Sequence, residues 1–281
     1  MSQSGEWSWK IADAGANARL HLRYEPGNWG DILKGHWAAT LAQHIVTERG
    51  AGCRFRYLDP FAGAPVYPLA TAARRRLEQL GPDDLFARVE EPHVKEDRLA
   101  STALVVADVA KQAGAVVELD VFDLDPERQR DWKQRVVGQV LEVSCGENAL
   151  AQAATAAPPY DLILVDPYDF SSSWPQLLPL ALELARRSTV LIYSYNKSPR
   201  GGGHRRAYDA LRRNLAEGLR RQPETRALVG RLGADSVLPR SYHETLLLAA
   251  PARIEHSAME LEATTVMFAQ RQAAHGAFER L

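Results

Sequence analysis

The sequence predicts a doubly wound α/β fold: a buried, mostly parallel sheet with helices on both faces and a small helical insertion. Three observations lead there. Short apolar runs bounded by turn residues recur along the 281-residue chain, and such runs suit strands buried on both faces. Stretches with helical spacing alternate with them. Four of the strand ends carry an acid, at the place where open α/β sheets bind their ligands. Hydrophobic residues make up 46% and charged residues 25% of the chain, which supports a globular core and excludes wholesale disorder.

Taken in order, Asp31–Glu48 reads as a helix, with Ile32, Leu33, Ala39, Leu41, Ile45 and Val46 at helical spacing. Arg54–Leu58 reads as the first strand and runs into Asp59-Pro60. Ala70–Lys95 is long for a loop and helical in pattern, so an inserted helical element is expected at about 70–97. Leu99–Ala113, Pro126–Val136, Trp174–Arg187 and His204–Arg221 read as further helices. Val116–Phe122, Asp161–Val165 and Thr189–Tyr195 read as strands, with Gln139–Val143 a weaker one. Thr245–Ala249 and Thr264–Ala269 are expected to complete the sheet. The length suits one domain over residues 1–281.

No apolar run approaches the roughly 20 residues that span a bilayer. The start, MSQSGEWSWKIADAG, lacks a basic n-region and an apolar h-region, so no secretory signal is expected. Cys53 and Cys145 make neither a disulfide framework nor a zinc site, and the eight histidines show no metal-ligand spacing. A reducing cytoplasm and no metal are the expectations. There is no G-x-S-x-G elbow around Ser171–Ser173, which argues against a hydrolase.

The net charge is −1, yet Arg186–Arg231 holds twelve Lys or Arg against three acids, about +9. That asymmetry fits a nucleic-acid-facing side, and it fits solvated helix faces equally well. Lys197–His204 reads either as a basic substrate loop or as a connector. Trp7, Trp9, Trp29 and Trp37 read as packing residues.

The strand ends carry the chemistry. After the first strand comes Asp59-Pro60-Phe61-Ala62-Gly63-Ala64-Pro65, and after the second comes Asp123-Leu124-Asp125-Pro126. Gly146-Glu147-Asn148 follows the third, and Asp166-Pro167-Tyr168-Asp169-Phe170 follows the fourth. A glycine at position 63 lets backbone approach a ligand closely. An acid ending the second strand suits ribose hydroxyls. G-x-G-x-x-G and Walker loops are absent, so an adenosyl cofactor fits better than a phosphate-rich one.

DPFAGA resembles the first motif of S-adenosylmethionine-dependent amino-methyltransferases, DPFxGxG, with Pro65 in place of the last glycine. Gly27-Asn28-Trp29-Gly30-Asp31-Ile32-Leu33-Lys34 resembles the G-N-x-x-D-V-L-K stretch of the RlmJ family, adenine-N6 methyltransferases of large-subunit ribosomal RNA. The order of matches runs from about Tyr24 to about Ala250. The resemblance implies a Rossmann-like methyltransferase sheet, S-adenosylmethionine as cofactor and a nucleic-acid substrate, RNA before DNA. It places Lys34 near the cofactor and gives cofactor contacts to Asp59, Phe61, Gly63, Ser101, Asp123, Glu147 and Asp166. Phe61 stands where the family has a histidine, and Asp123 where it has a glutamate. Asp166 is the implied catalytic acid, with the Pro167 carbonyl and Tyr168 beside it. Phe170, Lys197, Arg200, Arg205 and Arg206 are the expected substrate contacts.

The sequence departs from the family at the acid turn. Amino-methyltransferases carry [DNS]-P-P-[YFW]; here Tyr168 replaces the second proline and Asp169 stands at the stacking position. Two alternatives therefore stay open: a methyltransferase for a small molecule or protein, and an inactive binding module on the same fold. Asn28 and Asp31 also fit a plain helix start, with Lys34 solvated.

Overall fold

The computed structural model describes residues 26–135, 139–167, 170–197, 202–233, 241–271 and 275–281. In chain order the elements are α1 (Trp29–Arg49), β1 (Arg54–Asp59), β2 (Val66–Pro68), α2 (Thr71–Leu80), α3 (Leu85–Lys95), β3 (Arg98–Ala100) and α4 (Thr102–Gln112). They continue with β4 (Val116–Val121), α5 (Pro126–Arg135), β5 (Gln139–Val140), α6 (Gly146–Thr155), β6 (Leu162–Val165), α7 (Phe170–Ala185) and β7 (Thr189–Lys197). The chain ends with α8 (Gly202–Arg221), β8 (Arg226–Gly233), β9 (Ser241–Ala249), α9 (Pro251–Arg271) and β10 (His275–Arg280).

Eight strands form one sheet in the order β10-β8-β9-β7-β6-β1-β4-β5. The run β5-β4-β1-β6-β7 is parallel. Antiparallel β9 sits between β7 and β8, and β10 pairs antiparallel with β8 at the edge. This is the Rossmann-like, doubly wound sheet that the apolar runs predict. Strand alternation divides the core cleanly. Phe55, Tyr57, Leu162, Leu164, Leu191, Leu228 and Leu247 face the layer containing α1, α4 and α9. Leu58, Ile163, Val165, Val190, Ile192, Val229 and Leu248 face the layer containing α6, α7 and α8.

Two parts of the sequence reading need correction. Thr264–Ala269 is not a strand; it lies inside α9. Its buried residues continue those of Ile254, Ala258 and Leu261 at helical spacing through Thr264, Thr265 and Phe268. The Thr265 hydroxyl returns to the Leu261 carbonyl at 2.8 Å, a bond that lets a β-branched residue sit within a helix. Two strands of the sheet were not expected, β10 at the edge and β8, whose Gly230 lets the Trp37 ring press against the backbone, because a Cβ there would lie 2.5 Å from it. The helix expected from Leu99 begins at Thr102 instead. Residues 98–100 form β3, which pairs with β2 and closes a ribbon at the base of the inserted α2–α3 pair. Helix α6 was not foreseen.

Candidate active site

The parallel strands β1, β4, β6 and β7 all end on one edge of the sheet, and helix α1 brings its first turns to the same place. Asn28 starts that helix: its Oδ1 accepts from Gly30 N at 2.8 Å and from Asp31 N at 3.2 Å, an N-cap. Asp31 Oδ2 accepts from Gly27 N and from Asn28 Nδ2 at 3.1 and 2.9 Å. The helix-start reading is therefore correct, and its companion, a solvated Lys34, is not. Lys34 is buried, and one turn of helix carries its ammonium to Asp166 Oδ2 at 2.5 Å and to Asp31 Oδ1 at 3.4 Å. Burial disfavours the ammonium; Asp166 and then Asp31 outweigh it and hold Lys34 charged well above its ordinary range.

Asp59 ends β1 and is 2% exposed. Its Oδ1 accepts from Phe61 N at 3.1 Å, which shapes the turn. Burial first, and the neighbouring Asp166 next, push its carboxyl up to about 7. Burial also raises the Asp166 carboxyl, against the pull of Lys34. Three carboxylates thus surround one ammonium, an excess of negative charge that suits a cationic ligand group.

Gly63 adopts φ +64, the left-handed region that favours glycine. A Cβ there would lie 2.2 Å from Tyr67 Oη, and that hydroxyl itself accepts from Ala64 N at 3.0 Å. Asp123, just past β4, accepts from Gly63 N at 3.0 Å and from Arg128 Nη1 at 3.1 Å on Oδ2, and from Asp125 N at 2.8 Å on Oδ1. The first turn and the second acid are therefore one unit, with Trp132 Nε1 donating to Gly63 O at 2.9 Å behind it. Phe61 lies on the start of α6, where a Cβ on Gly146 would be 2.4 Å from its ring. Glu147 follows in the first turn of α6 and is half-buried. Ser101 is the N-cap of α4: its Oγ accepts from Leu104 N at 3.3 Å, while its N–H donates to Pro65 O at 2.9 Å. Its hydroxyl thus has a structural task that the sequence reading did not assign.

Asp166 and the buried Pro167 are described; Tyr168 and Arg200 lie outside the described residues. Phe170 opens α7, Lys197 ends β7, and Arg205 and Arg206 lie in the first half of α8. Their backbones alone are described.

The sequence reading missed a polar aromatic group beside this centre. The Lys34 ammonium lies 5.0 Å from the centre of the Tyr193 ring. Tyr193 Oη lies 2.7 Å from His243 Nδ1, and the Tyr195 ring lies 5.0 Å from the His243 ring. Alternation along Thr189–Lys197 puts both tyrosines on the α1 side of the sheet, a signal present in the sequence. His243 arrives only through the antiparallel pairing of β9 with β7, which sets it opposite Tyr195. Burial lowers its imidazole to about 4, so it is neutral near pH 7.

Fold and strand-end site together define a Rossmann-like, doubly wound α/β protein whose acidic groups gather at the carboxyl ends of its parallel strands. No protein-family model matches the sequence, and no curated protein matches it. Among solved structures, the chain is similar to protein LPL1258 from Legionella pneumophila str. Philadelphia 1, described as family-model DUF519. The TM-score is 0.66 at 12% identity, over 92% of this chain and 98% of that one. A putative rRNA-methylase from Clostridium thermocellum overlaps more loosely, with a TM-score of 0.39 at 9% identity over 75% of this chain and 96% of that one. The first of these likenesses supports the fold. Among the described residues no helix is long and apolar enough to cross a membrane, and no group of His, Cys, Asp and Glu is placed to hold a metal.

Proposed function

We propose that the protein is an S-adenosylmethionine-dependent methyltransferase that modifies an amino group of a nucleic-acid base, adenine N6 in RNA first among the candidates. The observation that carries this reading is the Lys34–Asp166 ion pair set among Asp31 and Asp59 at the carboxyl ends of parallel strands.

The residues present fit the cofactor. The Gly63 turn, at φ +64, brings bare backbone to the strand ends and is tied through its N–H to Asp123. Asp123 uses three of about four lone-pair sites on its neighbours, leaving acceptor capacity for a ribose hydroxyl. Phe61 and the start of α6 offer an apolar wall beside Glu147 for a purine. The excess of carboxylate at Asp59 and Asp166 complements an ammonium or sulfonium. When bound, S-adenosylmethionine supplies an electrophilic methyl group.

The chain's own residues would do the positioning. Lys34 opposes the burial that raises the Asp166 carboxyl and fixes that carboxylate with a bond at 2.5 Å. Asp166 would then accept a hydrogen bond from an acceptor N–H, and the Pro167 carbonyl would accept another. Holding the amine in line in this way recovers much of the barrier as entropy spent on binding. The basic residues of α8, Arg205 and Arg206 among them, would meet phosphates, which position a nucleic acid without reading its sequence.

The test is transfer of labelled methyl from S-adenosylmethionine to bulk RNA. We expect Asp166→Ala to lose at least about a hundredfold in rate, the scale of a positioned acid–base group, while cofactor binding survives in part. Undiminished transfer in that variant would remove Asp166 from the chemistry. Activity insensitive to salt would move the acceptor to a small molecule or protein.

A further inference from the structure

We propose that Tyr195 and His243 form a stacking platform for a base of the acceptor strand, just outside the Lys34–Asp166 centre. The inference rests on the methyltransferase reading and names a substrate contact within the same site. From the ion pair outward the groups run Asp166, Lys34, Tyr193, His243 and Tyr195, each in contact with the next. Tyr193 is 6% exposed, whereas Tyr195, two residues on and on the same face, is 47% exposed. Two strand residues carry the chain about 7 Å further from the centre. The inner tyrosine is therefore a wall of the site and the outer one is its rim.

The rim is prepared for a planar ligand. The Tyr195 ring is held half in water, and the His243 ring lies beside it, 5.0 Å away between centres and tilted by 35°. His243 is itself fixed, stacked on Tyr193 at 20° and bonded to its hydroxyl. Backbone pairing of Tyr195 with His243 across β7 and β9 fixes the second ring. Gly30 of α1 completes the arrangement: a Cβ there would lie 1.9 Å from Tyr193 Oη and 2.2 Å from His243 Nδ1. Preorganised aromatic faces of this kind bind bases without demanding a sequence, because every base has a π-face. A neutral imidazole stacks without the desolvation cost of an imidazolium.

The experiment measures binding of a fluorescently labelled, mixed-sequence RNA oligonucleotide by anisotropy, with S-adenosylhomocysteine present. A second oligonucleotide of equal length carries the same backbone without bases. We expect Tyr195→Ala to bind the base-bearing RNA about five- to a hundredfold more weakly, and Tyr195→Phe to bind it within about twofold of the natural protein, since the ring is kept. On the abasic strand all three proteins should bind alike. Calorimetric titration with S-adenosylhomocysteine should be unchanged in Tyr195→Ala, which reports that the variant is folded. Equal binding of the base-bearing RNA by Tyr195→Ala and the natural protein overturns the platform. An equal loss on the abasic strand, or no RNA binding by the natural protein, overturns it too. Failure of the methyltransferase reading has a different signature: the natural protein takes up neither S-adenosylmethionine nor S-adenosylhomocysteine.

Discussion

Lys34 and Asp166 depend on each other for their charge. Removing the ammonium leaves a carboxylate in a buried place among Asp31 and Asp59, and an orphaned buried charge costs about 3 kcal/mol. Lys34→Met should therefore lower the unfolding free energy by about that amount in urea titration near neutral pH. The loss should shrink in mild acid, where Asp166 takes up a proton. Asp59 and Glu90 make an opposite kind of contribution. Glu90 is buried in α3 with its Oε2 accepting from Ala100 N at 3.0 Å, and burial pushes its carboxyl up to about 7, as burial and Asp166 do for Asp59. Both folded-state values lie above the unfolded ones. Between about pH 4 and 7 the folded chain therefore holds more protons than the unfolded chain, and stability falls as pH rises through that window. Glu90→Gln should flatten this part of a stability-against-pH curve, and an unchanged slope would show that Glu90 ionises normally.

At the scale of elements, α1 is fixed to α3 and to the sheet by close backbone approaches at its glycines. Gly35 meets the Phe86 ring, since a Cβ there would lie 2.4 Å from it, and Gly30 meets Tyr193 and His243. Gly30→Ala should destabilise the protein by about 1–3 kcal/mol, the cost of overpacking. It should also disturb the Lys34 site, so reduced cofactor affinity should accompany the lower urea midpoint. These approaches explain which parts of the fold were legible. The parallel strands were readable because they are apolar on both faces; Asp59, Gly63, Asp123 and Asp166 stood out because they follow those strands, and Lys34 only through the resemblance of Gly27–Lys34 to a family motif. Strand β8, RALVGRLG, was not readable: Gly230 and Arg231 break the apolar run, and packing against Trp37 and pairing with β9 and β10 make it a strand. Thr264–Ala269 failed in the other direction. Its β-branched start suggests a strand, yet its buried residues match the helical period of the preceding three turns. Tyr193 and His243 are 50 residues apart and meet only through strand pairing, so no local pattern announces the pair.

The whole molecule is nearly neutral at −1, while its Arg186–Arg231 region is strongly basic. On the proposed reading, that region meets the phosphates of the acceptor, and binding of RNA should depend steeply on salt. Arg205→Glu with Arg206→Glu should weaken RNA binding and lower the slope of log affinity against log salt by about 1 to 2. An unchanged slope would place the phosphate contacts elsewhere. The central claim, however, concerns the sheet edge where four strands end, and one measurement addresses it. Titrate the natural protein and Asp123→Ala calorimetrically with S-adenosylmethionine, at about pH 6 and about pH 8. The account predicts binding by the natural protein that Asp123→Ala loses. It also predicts tighter binding at the higher pH, because Asp59 ionises near 7 and a cationic ligand prefers it ionised. Absence of binding by the natural protein at either pH, or binding that Asp123→Ala retains in full, would contradict it.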